Sequence, residues 1–176
     1  MAPRRLLFVC HANIVRSAAA ELLAQAAAGP EGPWRFSSAG VGAVVGHGID
    51  PTIGRLIEGR GIDTSGHAAQ QVSRNLVHEA DLVLTFEASQ RAWVLNEEPQ
   101  ARGKTLTVRR AARLLGRISR RADPRAFLAA DDSPYDVADD FEDPFGRGEA
   151  AAARALADLD KLLAVILPGI DAVSRG

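Results

Sequence analysis

RRLLFVCHANIVRSAAAELLAQ, residues 4–25, is the stretch on which the fold turns. Residues 4–10 are an apolar, partly branched run of strand length, and residues 18–26, AAAELLAQA, are strong helix formers. His11 to Ser17 lie between them, so the unit reads as strand, tight loop, helix. Gly29, Pro30, Gly32 and Pro33 end the helix, and 34–39 form a second strand that leads into a glycine-rich loop at 40–48. Asp50-Pro51 supplies an N-cap and a first-turn proline for a helix that runs to Gly59 with Ile53, Leu56 and Ile57 at helical spacing. A third strand is predicted over 80–86, a helix over 87–96, a fourth strand over 105–108 and a basic amphipathic helix over 110–118. A closing helix over 149–167 carries Leu156, Leu159, Leu163 and Ile166 on one face. Strands alternating with helices predict an α/β fold: a parallel sheet covered on both faces, with ligands outside the carboxyl ends of its strands. Cys10 stands at such an end.

The remaining segment, 122–148, is acidic, with Asp131, Asp132, Asp136, Asp139, Asp140, Glu142 and Asp143, and reads as a long functional loop. The 176 residues, 47% hydrophobic and 24% charged, suit a single domain over 1–176. A net charge of -1 offers no overall basic field for nucleic acid or a membrane surface, so any anion recognition must be local. The apolar run at 6–9 behind the first arginines is too short for a secretory core or a membrane span. Cys10 is the only cysteine, which forbids an internal disulfide and fits a reducing, cytoplasmic setting.

A loop of this kind between a strand and a helix points backbone N–H groups and the positive end of the helix dipole at one spot, here from His11, Ala12, Asn13, Ile14, Val15 and Arg16. That spot suits a phosphate. A guanidinium at Arg16 clamps two phosphate oxygens with parallel charge-assisted hydrogen bonds. The same field stabilises a thiolate at Cys10. Ser17 can donate its hydroxyl to that sulfur, and Asn13 can brace the loop, because asparagine tolerates left-handed backbone. Taken alone, a cysteine at a strand end is more often a small buried hydrophobe than a nucleophile; Arg16 and Ser17 beside Cys10 favour the nucleophile.

These residues resemble the low-molecular-weight protein tyrosine phosphatase family, whose signature is a cysteine, five residues, and an arginine followed by serine or threonine near the N-terminus. Leu7-Phe8-Val9-Cys10, Asn13, Arg16-Ser17, Ala19 and Glu21 fit that pattern, and Ser38-Ala39-Gly40, Gly61-Ile62-Asp63, His67 with Gln71, the ADLVL run at 80–84 and Asp143-Pro144-Phe145-Gly146 follow in the family's order. The resemblance implies a flavodoxin-like, doubly wound domain with a four-stranded parallel sheet, acting on phosphate monoesters through a phosphocysteine, with no metal or cofactor. It implies that Asp143 protonates the leaving oxygen and then activates water, although an aspartate before proline is also an ordinary turn former, with Asp140 and Asp139 as fallbacks. It places Ser38 and His67 in support of the loop, His67 through Asn13, and His11 and Phe145 at the wall that meets the substrate. The expected partner is protein phosphotyrosine or a small phosphoester, and the expected state a monomer or weak dimer.

The chain departs from the family at four places. Ala12 replaces a glycine, which would cost on the order of 1 kcal/mol if that position needs positive φ. Val15 replaces a second loop cysteine that can cap an oxidised nucleophile. Ala18 replaces a proline, and the aromatic pair after Asp-Pro is reduced to Phe145 and Gly146. The arginines Arg109, Arg110, Arg113, Arg117, Arg120 and Arg121 read as a solvated helix face, or else as a docking surface for an acidic partner. Two rivals share the scaffold: an arsenate reductase discharged by external thiols, and a phosphate- or phosphoprotein-binding module without turnover, for which Ala12 is the main argument.

Overall fold

The computed structural model describes residues 2–119 and 121–171; Arg120 of the arginine cluster lies outside them. Four strands, β1 (Arg4–Cys10), β2 (Trp34–Gly40), β3 (Leu82–Thr85) and β4 (Thr105–Thr107), form one parallel sheet in the order β2-β1-β3-β4. The helices are α1 (Arg16–Ala28), α2 (Pro51–Glu58), α3 (Arg74–Glu79), α4 (Ala88–Glu97), α5 (Val108–Leu115), α6 (Pro124–Ala129) and α7 (Glu149–Asp171). The fold is the expected doubly wound α/β sheet.

Alternation along β1 builds both faces. Leu6, Phe8 and Cys10 enter a large core with Leu84, Phe86, Leu106 and the apolar sides of α1, α2, α5 and α7, including Leu156, Leu159, Leu163 and Ile166. Leu7 and Val9 enter a smaller core on the other face with Val77, Val83 and Val94. The chain leaves β1 toward β2 on one side and returns to β3 on the other, so the order in which strands are added reverses between β1 and β3. In such sheets that crevice is the binding site.

Sequence and structure differ at several elements. The fourth strand stops at Thr107, whose side chain accepts from the Arg110 N–H at 3.3 Å and starts α5 at once. The short helix α3, capped by Ser73, lies in a stretch given no element above. The segment 122–148 is not an unbroken loop, since Asp123 caps α6 with Pro124 in its first turn, and Val137–Asp139 make one 3-10 turn. The arginine cluster is not a solvated face throughout. Arg117 and Arg121 are exposed, but Arg110 is only 2% exposed and bonded into the acidic segment, which removes it from any docking surface.

Candidate active site

The loop between β1 and α1 is turned so that its carbonyls face outward. The carbonyl of Cys10 accepts from the Val41 N–H at 3.0 Å, that of His11 from Gly42 at 2.9 Å, that of Ala12 from Val44 at 3.1 Å and that of Ile14 from Asp50 at 2.8 Å. The Asn13 carbonyl lies 2.7 Å from His67 Nε2, and because a carbonyl can only accept, this ring nitrogen carries the proton. Among the described residues no peptide bond is cis. In a trans peptide N–H and C=O point in opposite directions, so the N–H groups of His11, Ala12, Asn13, Ile14 and Val15 turn toward the centre of the loop. With the N-terminus of α1 at its end, such a ring of donors has the chemistry to cradle an anion.

Two residues make that shape possible. Asn13 has φ of 59° and is the only non-glycine residue with positive φ among those described. Ala12 is therefore not in the left-handed region, and the strain expected there is absent; the positive φ falls on the residue type that tolerates it. Gly40 lies beneath the loop, where a Cβ would stand 2.2 Å from the His11 carbonyl oxygen.

Cys10 is 3% exposed, with Sγ 2.9 Å from Ser17 Oγ. A buried chain of hydrogen bonds runs outward from there. Asn13 Nδ2 donates to Ser17 Oγ at 2.8 Å and to Ser38 Oγ at 2.9 Å, Asn13 Oδ1 accepts from the Gln70 N–H at 2.9 Å, and Ser38 Oγ donates to Glu21 Oε2 at 2.5 Å. Burial pushes the Glu21 carboxyl above its ordinary range, although its bond from Ser38 and the field of His67 pull it back. Asn13, Ser17, Ser38 and His67 are thus brought together around the sulfur, with Glu21 and Gln70 added.

Arg16 is 3% exposed and its guanidinium is held at three points: Nη1 donates to Glu87 Oε1 at 2.5 Å and to the Phe141 carbonyl at 2.8 Å, and Nη2 donates to Asp143 Oδ2 at 3.2 Å. Asp143, with a side chain 46% exposed, also accepts from the Phe145 N–H at 3.1 Å. A residue more than a hundred positions downstream therefore reaches the first residue of α1, at the end of the loop from β1. Asp139 is 1% exposed and held by Arg110 and Arg113, while the Asp140 carboxylate accepts from the Ala88 N–H at 2.7 Å, so both fallback acids are committed elsewhere. His11 is exposed, its ring against Gly42, and Phe145 is exposed two residues beyond Asp143.

Sequence reasoning missed Glu87, Gln70 and the part played by Glu21. Glu87 carried a readable signal, because it follows β3 at the carboxyl end of the strand beside β1, and that crevice is where a doubly wound sheet places its ligand. Among the described residues no group of three His, Cys, Asp or Glu side chains is gathered so as to hold a metal ion. No described helix is long and apolar enough to cross a membrane.

A sequence model of the low molecular weight phosphotyrosine protein phosphatases matches residues 5–117. The low molecular weight protein-tyrosine-phosphatase Wzb of Escherichia coli is 40% identical over 101 residues, which cover 57% of this chain and 67% of that protein. The probable low molecular weight protein-tyrosine-phosphatase EpsP of Ralstonia nicotianae is 37% identical over the same length and shares. Among solved structures, the tyrosine phosphatase AmsI of Erwinia amylovora superposes with a TM-score of 0.73 at 25% identity, covering 94% of this chain and 92% of that one. The YwlE arginine phosphatase of Geobacillus stearothermophilus gives 0.77 at 22% identity, covering 99% and 98%, a likeness of fold.

Proposed function

Because the chain belongs to the low molecular weight phosphotyrosine protein phosphatase family, and is a cysteine-based phosphoric monoester hydrolase, we propose that its substrate is phosphotyrosine on proteins and that Cys10, Arg16, Ser17 and Asp143 carry the reaction. The observation that carries this reading is the cradle itself: five outward carbonyls, the inward N–H groups they imply, and a buried sulfur and guanidinium at its two ends.

In the first step the Cys10 thiolate attacks phosphorus in line with the leaving oxygen. A P–S bond forms, the P–O bond breaks, and the Asp143 carboxylic acid gives its proton to the departing phenolate. In the second step the Asp143 carboxylate takes a proton from water, whose oxygen attacks phosphorus as the P–S bond breaks. The thiolate leaves toward the hydroxyl of Ser17, 2.9 Å away. Both protons of Arg16 Nη1 are held by Glu87 and Phe141, which fixes the plane of the guanidinium and leaves its Nε and Nη2 edge for two phosphate oxygens. A dianion arriving there competes with Asp143 for Arg16. Substrate binding therefore frees Asp143 from that contact. The inward N–H groups and the guanidinium meet the charge that builds on the equatorial oxygens in the transition state. His11 and Phe145 meet the aryl ring of the substrate.

The rival binding module loses its main argument with the unstrained Ala12. The test is hydrolysis of a phosphotyrosyl peptide, and of a panel of sugar and nucleotide phosphates, by the wild type and by Cys10→Ser. Turnover of the peptide by the wild type alone, with vanadate still bound by the variant, is expected. Preference for the small phosphates would overturn the substrate assignment, and turnover by Cys10→Ser would overturn the nucleophile.

A further inference from the structure

The general acid has few contacts of its own. Asp143 is half exposed and holds on to Arg16, at 3.2 Å, and to the backbone two residues on. Its place over the cradle is set by the chain that leads to it, and that chain is fastened residue by residue. The Phe141 N–H donates to the Phe86 carbonyl at 2.7 Å. Asp140 accepts from the Ala88 N–H through its side chain, and its carbonyl accepts from Arg109 Nε at 3.0 Å. Asp139 is the anchor: Arg110 grips it with a two-pronged fork, Nε to Oδ1 at 3.2 Å and Nη2 to Oδ2 at 2.8 Å, and Arg113 Nη2 adds a bond to Oδ1 at 2.9 Å.

Arg110 itself is committed to this one segment. Its Nη1 donates to the Ser133 carbonyl at 2.6 Å and to Asp131 at 3.0 Å, its Nη2 donates to the Pro134 carbonyl at 2.6 Å, and its guanidinium lies 3.8 Å from the centre of the Tyr135 ring. Burying an arginine and an aspartate this deeply costs desolvation that a surface pair avoids, and a well-packed apolar pair of the same volume would hold the loop as firmly. What an ion-pair fork adds is a fixed direction and distance. Arg110 and Arg113 ride on α5, which starts directly from β4, so the fork refers the acid loop to the sheet by a route separate from β1, the cradle and α1. The family model ends at residue 117, so the arginines lie inside the matched stretch while Asp139 and Asp143 lie beyond it.

We propose that Arg110 and Asp139, with Arg113 as the outer member, are positioning residues for Asp143, setting the reach of its carboxyl group to the leaving oxygen while leaving phosphate binding to the cradle. This rests on Asp143 being the general acid. Displacing a reacting group by about 1 Å can cost about 100-fold in rate. Loosening the anchor four residues away therefore slows proton delivery and leaves the attack by Cys10 in place.

The test compares Asp139→Asn, Arg113→Ala, Asp143→Asn and the double variant Asp139→Asn/Asp143→Asn. The readouts are kcat/KM for a series of aryl phosphates whose phenols differ in acidity, and inhibition by vanadate. For the least acidic phenols Asp139→Asn is expected to lose about 10- to 100-fold, and for the most acidic phenols much less, with vanadate inhibition unchanged. Arg113→Ala, which removes one bond from a half-exposed side chain, is expected to shift the dependence in the same direction by less, and it gives the reading if Asp139→Asn does not fold. The double variant is expected to be no slower than Asp143→Asn, because the anchor acts through that residue. A loss by Asp139→Asn that is equal for all phenols, or that multiplies with that of Asp143→Asn, overturns the positioning role while a steepened dependence in Asp143→Asn keeps the acid assignment. A dependence unchanged in Asp143→Asn overturns both.

Discussion

Asn13→Ala should be among the most damaging single changes in the chain, although it removes only a small polar side chain. Asn13 is fully buried, and its amide joins Ser17, Ser38 and the Gln70 backbone. When it is lost, the two hydroxyl oxygens lose the N–H they accept, while each keeps an acceptor for its own proton, Ser17 in the Ala39 carbonyl at 3.3 Å and Ser38 in Glu21, so each lost bond costs about 0.5–1.5 kcal/mol. The Gln70 N–H, in a part-buried bond, keeps no acceptor from this residue, which costs about 1–3 kcal/mol where water is kept from it. Alanine at φ of 59° adds about 1–2 kcal/mol of backbone strain. The sum is about 3–8 kcal/mol before relaxation, with about 4 kcal/mol as the working figure, set against a typical total stability of about 5–15 kcal/mol. Asn13→Gly makes the same hydrogen-bond losses without the strain and should be about 1 kcal/mol more stable than Asn13→Ala. Urea unfolding of the three proteins measures both differences. A loss of under about 1 kcal/mol for Asn13→Ala, or a glycine variant less stable than the alanine one, would show that neither the network nor the left-handed backbone holds the loop.

Three further outcomes follow from the same geometry. Gly40→Ala drives a methyl group to 2.2 Å from the His11 carbonyl oxygen, so the cradle must open, and loss of vanadate binding together with turnover is expected; vanadate binding at wild-type strength would contradict the close approach. Burial alone would raise the Asp139 carboxyl, but bonds from Arg110, from the Asp136 backbone and from Arg113 outweigh it and hold it below the ordinary carboxylate range, as the bonds from Ser133 and Arg110 do for Asp131. A lowered folded pKa means stability that is present above the unfolded value of about 4 and lost as pH falls through the folded one, so unfolding midpoints should drop steeply below pH of about 4, and the drop should be smaller in Asp139→Asn. Because Val15 stands where a second thiol would cap the nucleophile and Cys10 is the only cysteine, peroxide should drive Cys10 past sulfenic acid, so that later addition of thiol does not restore activity; full recovery would refute this.

The sheet and its helices were legible because their signals are local: the apolar run ending at Cys10, the Asp50-Pro51 cap and the stripe from Leu156 to Ile166 each declare an element without help from the rest of the chain. Three Asp-Pro pairs show where that legibility ends. Asp50, Asp123 and Asp143 all accept a backbone N–H two residues on, at 3.0, 3.0 and 3.1 Å. The first two cap helices, while the third is followed by Gly146 and Gly148, both at positive φ, and turns its other oxygen to Arg16. Local chemistry cannot separate these cases, because what distinguishes Asp143 is a contact across more than a hundred residues. Arg110 misleads in the same way. It belongs to a basic helical stripe by composition, yet its depth of burial depends on Asp139, a residue the sequence leaves among half a dozen other carboxylates. Gln70 was missed for the complementary reason, since its residue type is no signal until the topology sets it against Asn13; Glu87 was readable only through its place after β3, which sets it against Arg16.

Phosphate is predicted to pass through Cys10, with Asp143 serving both its arrival and its departure. The most direct test is acid quench of the protein during turnover of an activated aryl phosphate, followed by mass spectrometry of the peptide that carries Cys10. In Asp143→Asn the leaving phenol departs unaided but the water is not activated, so a phosphoryl group is predicted to accumulate on Cys10, to a higher level than in the wild type and not at all in Cys10→Ala. Turnover by the wild type with no phosphoryl group on Cys10 in either protein would contradict the account.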